Sequence, residues 1–145
     1  MKECELTQKE SRTKAEKLLS SAKVVFVGTN GSHGHSNVRA MAPQKNDGVE
    51  TIWFVTNLES SKIIELVKDD KAVVYGYSPR TMAEFRIWGR ITILEDAASR
   101  KHVWNDRLKE YFPGGQNAPE LRVLRFDAVS GLYCNKEGKS GIFTI

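Results

Sequence analysis

Two rhythms of hydrophobic and polar positions run along this chain. The clearest lies between Glu84 and Leu94, where Phe85, Ile87, Ile91 and Ile93 share one face and Glu84, Arg86, Arg90 and Thr92 the other. Such alternation predicts a strand in an antiparallel sheet with unequal faces. Residues 50–56 alternate in the same way, with Ile52, Phe54 and Thr56 on one side and Trp53 and Val55 on the other. Further strands are predicted at 23–29, 37–42, 72–77 and 121–133, with a last short one at 141–145. The second rhythm is helical. Ala15, Leu18, Leu19 and Ala22 form one apolar stripe behind Thr7-Gln8-Lys9-Glu10, which has the spacing of a capping box, so a helix is expected at about 7–21. Ile63, Ile64, Leu66 and Val67 mark a short helix, and residues 97–111 a third that stops before Pro113-Gly114-Gly115.

Mostly antiparallel strands with helices inserted between them imply a barrel or an α+β sheet. At 145 residues the chain fits one domain, 1–145, long enough to bury a core. No apolar stretch approaches the ~20 residues of a membrane-spanning helix, and the polar start shows no secretory signal. A cytoplasmic protein without membrane contact is expected. The net charge of +4 comes from scattered residues rather than a basic stripe, which disfavours nucleic acid and suits a small anionic ligand or an ordinary surface. Cys4 and Cys134 are far apart and His33, His35 and His102 lack matched spacing, so no metal site is expected.

The candidate chemistry gathers where a strand ends at Thr56-Asn57 and a helix begins near Ser60-Ser61-Lys62. The first turn of a helix has unpaired N–H groups and the positive end of the dipole. Two hydroxyls and the Lys62 ammonium add donors suited to a phosphate. The plainer alternative is that Ser60 caps the helix and Lys62 is solvated. Arg39 tilts the balance, because it sits in an apolar strand between Val38 and Ala40-Met41. An arginine there needs a partner. If the strands are neighbours, Arg39 and Lys62 converge on one dianion.

These segments, in this order and spacing, carry a resemblance. Arg39-Ala40-Met41, Trp53-Phe54-Val55-Thr56-Asn57, Ser60-Ser61-Lys62, Trp88-Gly89-Arg90 and Tyr111-Phe112-Pro113-Gly114-Gly115 resemble the pyridoxamine 5′-phosphate oxidase-like FMN-binding split barrels, in particular the branch called general stress protein 26. The likeness extends over roughly 18–133. It implies a six-stranded antiparallel split β-barrel that forms a homodimer, with FMN in two grooves between the subunits. It also implies that Arg39 and Lys62, with Ser60 and Ser61, hold the flavin phosphate, and that the ring edge lies along Ala40, Met41, Val55 and Thr56. Among Trp53, Trp88, Trp104 and Tyr111, the resemblance favours Trp104 for lining the groove.

There are three departures from the family pattern. Ser61 stands where the oxidases have a second basic residue, and Glu84 where they have a flavin-contacting Gln. The chain also ends at Ile145 without the Arg and His that handle the pyridoxal substrate, so oxidation of pyridoxamine 5′-phosphate is not expected. The implied function is an FMN-dependent oxidoreductase acting on an unidentified small molecule or electron donor. No protein nucleophile or acid–base pair stands out, as befits a reaction performed by a flavin. The alternatives are a flavin-binding stress protein without turnover, and a split barrel that takes a deazaflavin or haem.

Overall fold

The computed structural model describes residues 5–145, so Cys4 lies outside the described residues. Helix α1 (Gln8–Ser21) starts at Thr7, whose hydroxyl oxygen accepts the Glu10 N–H at 3.1 Å. The Glu10 carboxylate accepts from the Thr7 hydroxyl rather than from its backbone, a variant of the capping box. Ala15 and Leu19 on the apolar stripe are buried. None of the described helices is long and apolar enough to cross a membrane.

The rest is built on one antiparallel sheet of eight strands: β1 (Val25–Asn30), β2 (Ser36–Met41), β3 (Lys45–Asp47), β4 (Thr51–Asn57), β5 (Lys71–Tyr77), β6 (Glu84–Leu94), β7 (Leu121–Cys134) and β8 (Ser140–Thr144). Helix α2 (Ser61–Lys68) follows β4, and α3 (Ala97–Val103) follows β6. The strand order is β2-β1-β5-β6-β7-β4-β3, with β8 paired to the second half of β7. The ends of this order do not pair, so the sheet is not closed. Ala40 and Met41 of β2 nevertheless line the same cavity as Val55 and Thr56 of β4. The sheet has therefore curled until its two ends face each other across a split.

Alternation placed the core correctly. Ile52, Phe54 and Thr56 of β4 are buried, as are Phe85, Ile87 and Ile91 of β6. With Phe126 and Phe143 they fill the interior, and Val103, Phe112, Ala118, Leu121 and Val123 form a smaller cluster at one side. The long β6 bends at a register shift between Trp88 and Gly89. A Cβ at Gly89 would lie 2.2 Å from the Asp127 carbonyl oxygen, so only glycine fits this bulge.

Three sequence expectations change. Among the described residues the sheet has eight strands, where the resemblance implied six and alternation marked seven; the eighth is Lys45–Asp47, a segment with no apolar alternation that pairs with β4 as a hairpin arm. The predicted helix at 97–111 is two pieces. Trp104 and Asn105 take extended dihedrals, and a 3-10 turn from Asp106 to Glu110 restarts where the Asn105 side chain accepts the Arg107 N–H. On α2, only Ile63 and Leu66 of the four apolar residues are buried, while Ile64 and Val67 face outward.

Arg100 organises the region beyond α3. It is only 8% exposed and donates to the carbonyls of Glu95 (2.8 Å), Gln116 (3.1 Å), Ala118 (2.7 Å) and Leu121 (2.9 Å). Those bonds tie the loop after Phe112 to the start of β7 and hold Phe112 beside the split.

Candidate functional site

The split holds a cavity of about 540 Å³, within the range of small-molecule sites. One wall is Ala40, Met41, Ala42 and Gln44, from β2 and the turn after it. The other is Val55, Thr56 and Asn57 of β4 with Lys62 of α2, and Leu108, Tyr111 and Phe112 complete the lining. β2 pairs only with β1, and β3 covers β4 only as far as Trp53. Strand edges without a neighbouring strand thus border the cavity, and such edges carry backbone donors and acceptors that a ligand can use.

Lys62 is half-buried at one end of this cavity. Its ammonium donates to the Thr56 hydroxyl at 2.9 Å and to the Ser60 hydroxyl at 2.6 Å. Ser60 occupies the N-cap of α2, but its side chain accepts no helix N–H. The capping alternative therefore gives way: Ser60 holds the lysine instead. Burial, and then the nearby positive charge of Arg39, lower the Lys62 pKa, while Glu65 opposes them. Arg39 is therefore near enough for its charge to act on Lys62.

Arg39 reaches inward from β2 across β1. It donates to the Thr29 hydroxyl at 2.7 Å and to the Val27 carbonyl at 3.3 Å, and pairs with the Glu65 carboxylate at 3.5 Å. Glu65 also accepts from Thr29 and from Asn37, each at 2.6 Å. The Thr29 bond, followed by Asn37 and Arg39, holds its carboxyl below the ordinary glutamate range. Arg39, Lys62 and Glu65 together leave a net charge of +1. Such a partly compensated pair of cations suits a dianion without leaving two buried charges wholly unpaired.

Of the sequence candidates, Ala40, Met41, Val55, Thr56 and Lys62 line the cavity together; Ser60 accepts from the Lys62 ammonium, and Arg39 is not among the lining residues. Ser61 is exposed on the first turn of α2. Glu84 lies outside the cavity, where it accepts from the Tyr75 hydroxyl at 2.6 Å and pairs with Arg86 at 3.3 Å. Trp104 also lies outside it, packed on the smaller core cluster. The aromatic groups that line the cavity are Tyr111, 72% exposed, and the buried Phe112. Sequence reasoning missed Gln44, Leu108 and Phe112, which are brought in by a turn and a 3-10 segment with no periodic signal. It also missed Glu65, although Lys62 and Glu65 stand three apart on one helix, a spacing that brings side chains together. Among the described residues, no group of three or more His, Cys, Asp or Glu side chains is arranged to hold a metal ion.

An open antiparallel sheet curled around a ligand-sized split, with helices between its strands, defines the class of protein as a split barrel. The family model for pyridoxamine 5′-phosphate oxidase like proteins matches residues 10–145, and the chain belongs to that family. A protein from Clostridium acetobutylicum related to general stress protein 26 of B. subtilis, of the pyridoxinephosphate oxidase family, is 34% identical over 91% of this chain and 92% of its own, with a TM-score of 0.84. General Stress Protein 26 from Bacillus anthracis shares the fold at 14% identity and a TM-score of 0.76, covering 91% of this chain and 96% of that one. Among curated protein sequences none is similar enough to count as a match.

Proposed function

We propose that this protein binds FMN in the split and uses it as an oxidoreductase acting on a small molecule. The observation that carries the reading is Lys62, held by Thr56 and Ser60 in the lining of a cavity bordered by unpaired strand edges, with Arg39 next to the lining residues of β2 and paired to Glu65 of the helix that carries Lys62. Arg39 and Lys62 hold the phosphate, and Thr56 and Ser60 keep the lysine head in place. Ala40, Met41, Val55 and Thr56 flank the ring, while Leu108 and Phe112 keep water from it. When bound, the flavin supplies the electron or hydride transfer.

The functional unit is a homodimer. Val38, Gly28, Val73 and Trp88 lie opposite one another across β2, β1, β5 and β6, and the next row on that face is Ala40, Phe26, Tyr75 and Arg86. Phe26, Val38 and Trp88 are 42%, 67% and 42% exposed, an apolar outer face of the kind that marks an interface. Ala40 belongs both to this face and to the cavity lining, so a second copy seated here borders the flavin. In sedimentation, Trp88→Asp is expected to turn a dimer into a monomer; a monomeric wild-type protein overturns the assignment.

The absorbance spectrum of the purified protein, followed by titration of FMN into stripped protein, tests the cofactor. Flavin bands and saturable binding support the reading, and failure to bind FMN overturns it. Oxidation of NADH or NADPH by the loaded protein with an added acceptor then separates an oxidoreductase from a flavin carrier.

A further inference from the structure

A second cavity, of about 300 Å³, lies between α1 and the turn joining β5 to β6, and shares no lining residue with the split. It is lined by Lys14, Lys17 and Arg80, by the hydroxyl residues Ser21, Ser78 and Thr81, and by Leu18, Ala83 and Tyr133. No ion pair among the described residues uses any of the three cations. Like charges gathered around one cavity repel, and a bound anion relieves that repulsion.

Tyr133 supplies an independent observation. Its side chain is only 8% exposed, yet its hydroxyl has no hydrogen-bond partner among the described residues and remains accessible at the cavity. The hydroxyl is not itself one of the buried atoms without a partner, so it is open to water or to a ligand in the cavity. Burial, and then Cys134 and Glu137, push its pKa above the ordinary tyrosine value, so it keeps its proton and donates. The turn that brings in Ser78, Arg80 and Thr81 is held by the Ser78 N–H on the Ala83 carbonyl and the Met82 N–H on the Ser78 carbonyl.

We propose that this cavity is a second anion site, independent of the flavin, which takes a phosphate dianion. Three cations and the hydroxyls of Ser78, Thr81 and Tyr133 surround it, enough donors for the several oxygens of a tetrahedral phosphate, while the Ser21 hydroxyl donates to the Leu18 carbonyl at 3.0 Å. The two oxygens of a carboxylate would leave most of those donors unused. Lys14, Lys17 and Arg80 neutralise the charge, and the accessible Tyr133 hydroxyl donates beside them.

Residue-resolved nitrogen–proton NMR on the full chain tests this, because the two cavities report on different amides. Inorganic phosphate and phenyl phosphate are each titrated, with acetate as the control. Saturable shifts at Ser78, Thr81, Ala83 and Tyr133 are expected. Replacing Lys14, Lys17 and Arg80 together by Ala should weaken that binding about a hundredfold, and Tyr133→Phe, which keeps the buried ring, about three- to tenfold. Tighter binding of phenyl phosphate identifies a phosphomonoester and equal binding the free ion; either supports the site. The proposal is overturned if these amides do not respond, if the triple variant binds unchanged, or if acetate saturates them as well. Shifts confined to the Thr56–Lys62 region leave the flavin reading intact and overturn only this one.

Discussion

Arg100 and the Arg39–Lys62 pair are both cationic groups removed from water, and they teach opposite lessons. Arg100 is closed: backbone carbonyls take up four of its five N–H donors, and it lines neither of the two cavities described. Arg39 and Lys62 are open: hydroxyls hold both, the Glu65 carboxylate pairs with Arg39, and Lys62 lines a ligand-sized cavity. Burial of a charge therefore does not by itself mark a functional site. What distinguishes the two is where the donors are spent.

The contrast is sharpest in stability. Arg100→Ala leaves several buried carbonyls without a donor, which should cost about 3 kcal/mol or more and lower Tm by about 10 °C. Thermal unfolding checks this, and a change below about 1 kcal/mol would break the distinction. Arg39→Ala or Lys62→Ala should instead act on the ligand. Loss of a charge-assisted hydrogen bond is worth about 1.5–3 kcal/mol, or roughly tenfold to over a hundredfold in Kd for FMN by fluorescence titration.

A pH series separates the regions further. The folded protein lowers the Lys62 pKa from 10.5, mainly by burial, so between the folded value and 10.5 the unfolded chain binds more protons. The Lys62 contribution to stability without ligand therefore rises with pH through that window. FMN affinity should move the other way, falling as the ammonium is lost, and this fall should vanish in Lys62→Arg. The smallest change is expected for Glu65→Gln. It removes the carboxylate that competes for Arg39 and should tighten FMN binding about fivefold or less, in the range of a partly solvated ion pair.

Much of the frame was legible in the residues themselves. Period-two alternation found the buried faces of β4 and β6 because one face of each strand meets the core and the other does not. Thr7 and Glu10 announced the start of α1 because a cap is a local bond. Ser60 shows where local reasoning ended. A serine before a helix ordinarily caps it, yet here the Lys62 ammonium claims the hydroxyl. The Asn105 break was equally hidden, because residues 97–111 are passable helix formers and a side-chain bond to Arg107 decides the matter.

The sequence by itself determined the strands, the core faces and the residue types able to hold a phosphate, because these depend on neighbours a few positions apart. Only the tertiary structure decided that β2 and β4, at nearly opposite ends of the strand order, face each other across a split. It alone turned Glu84 and Trp104 away from that cavity and brought Tyr111, Phe112 and Gln44 to it. Nor does any local pattern bring Lys14 and Lys17 to Arg80 and Tyr133. The physical reason is the same in each case: curling of the sheet joins residues far apart in the chain, and that curl is set by packing of the whole core.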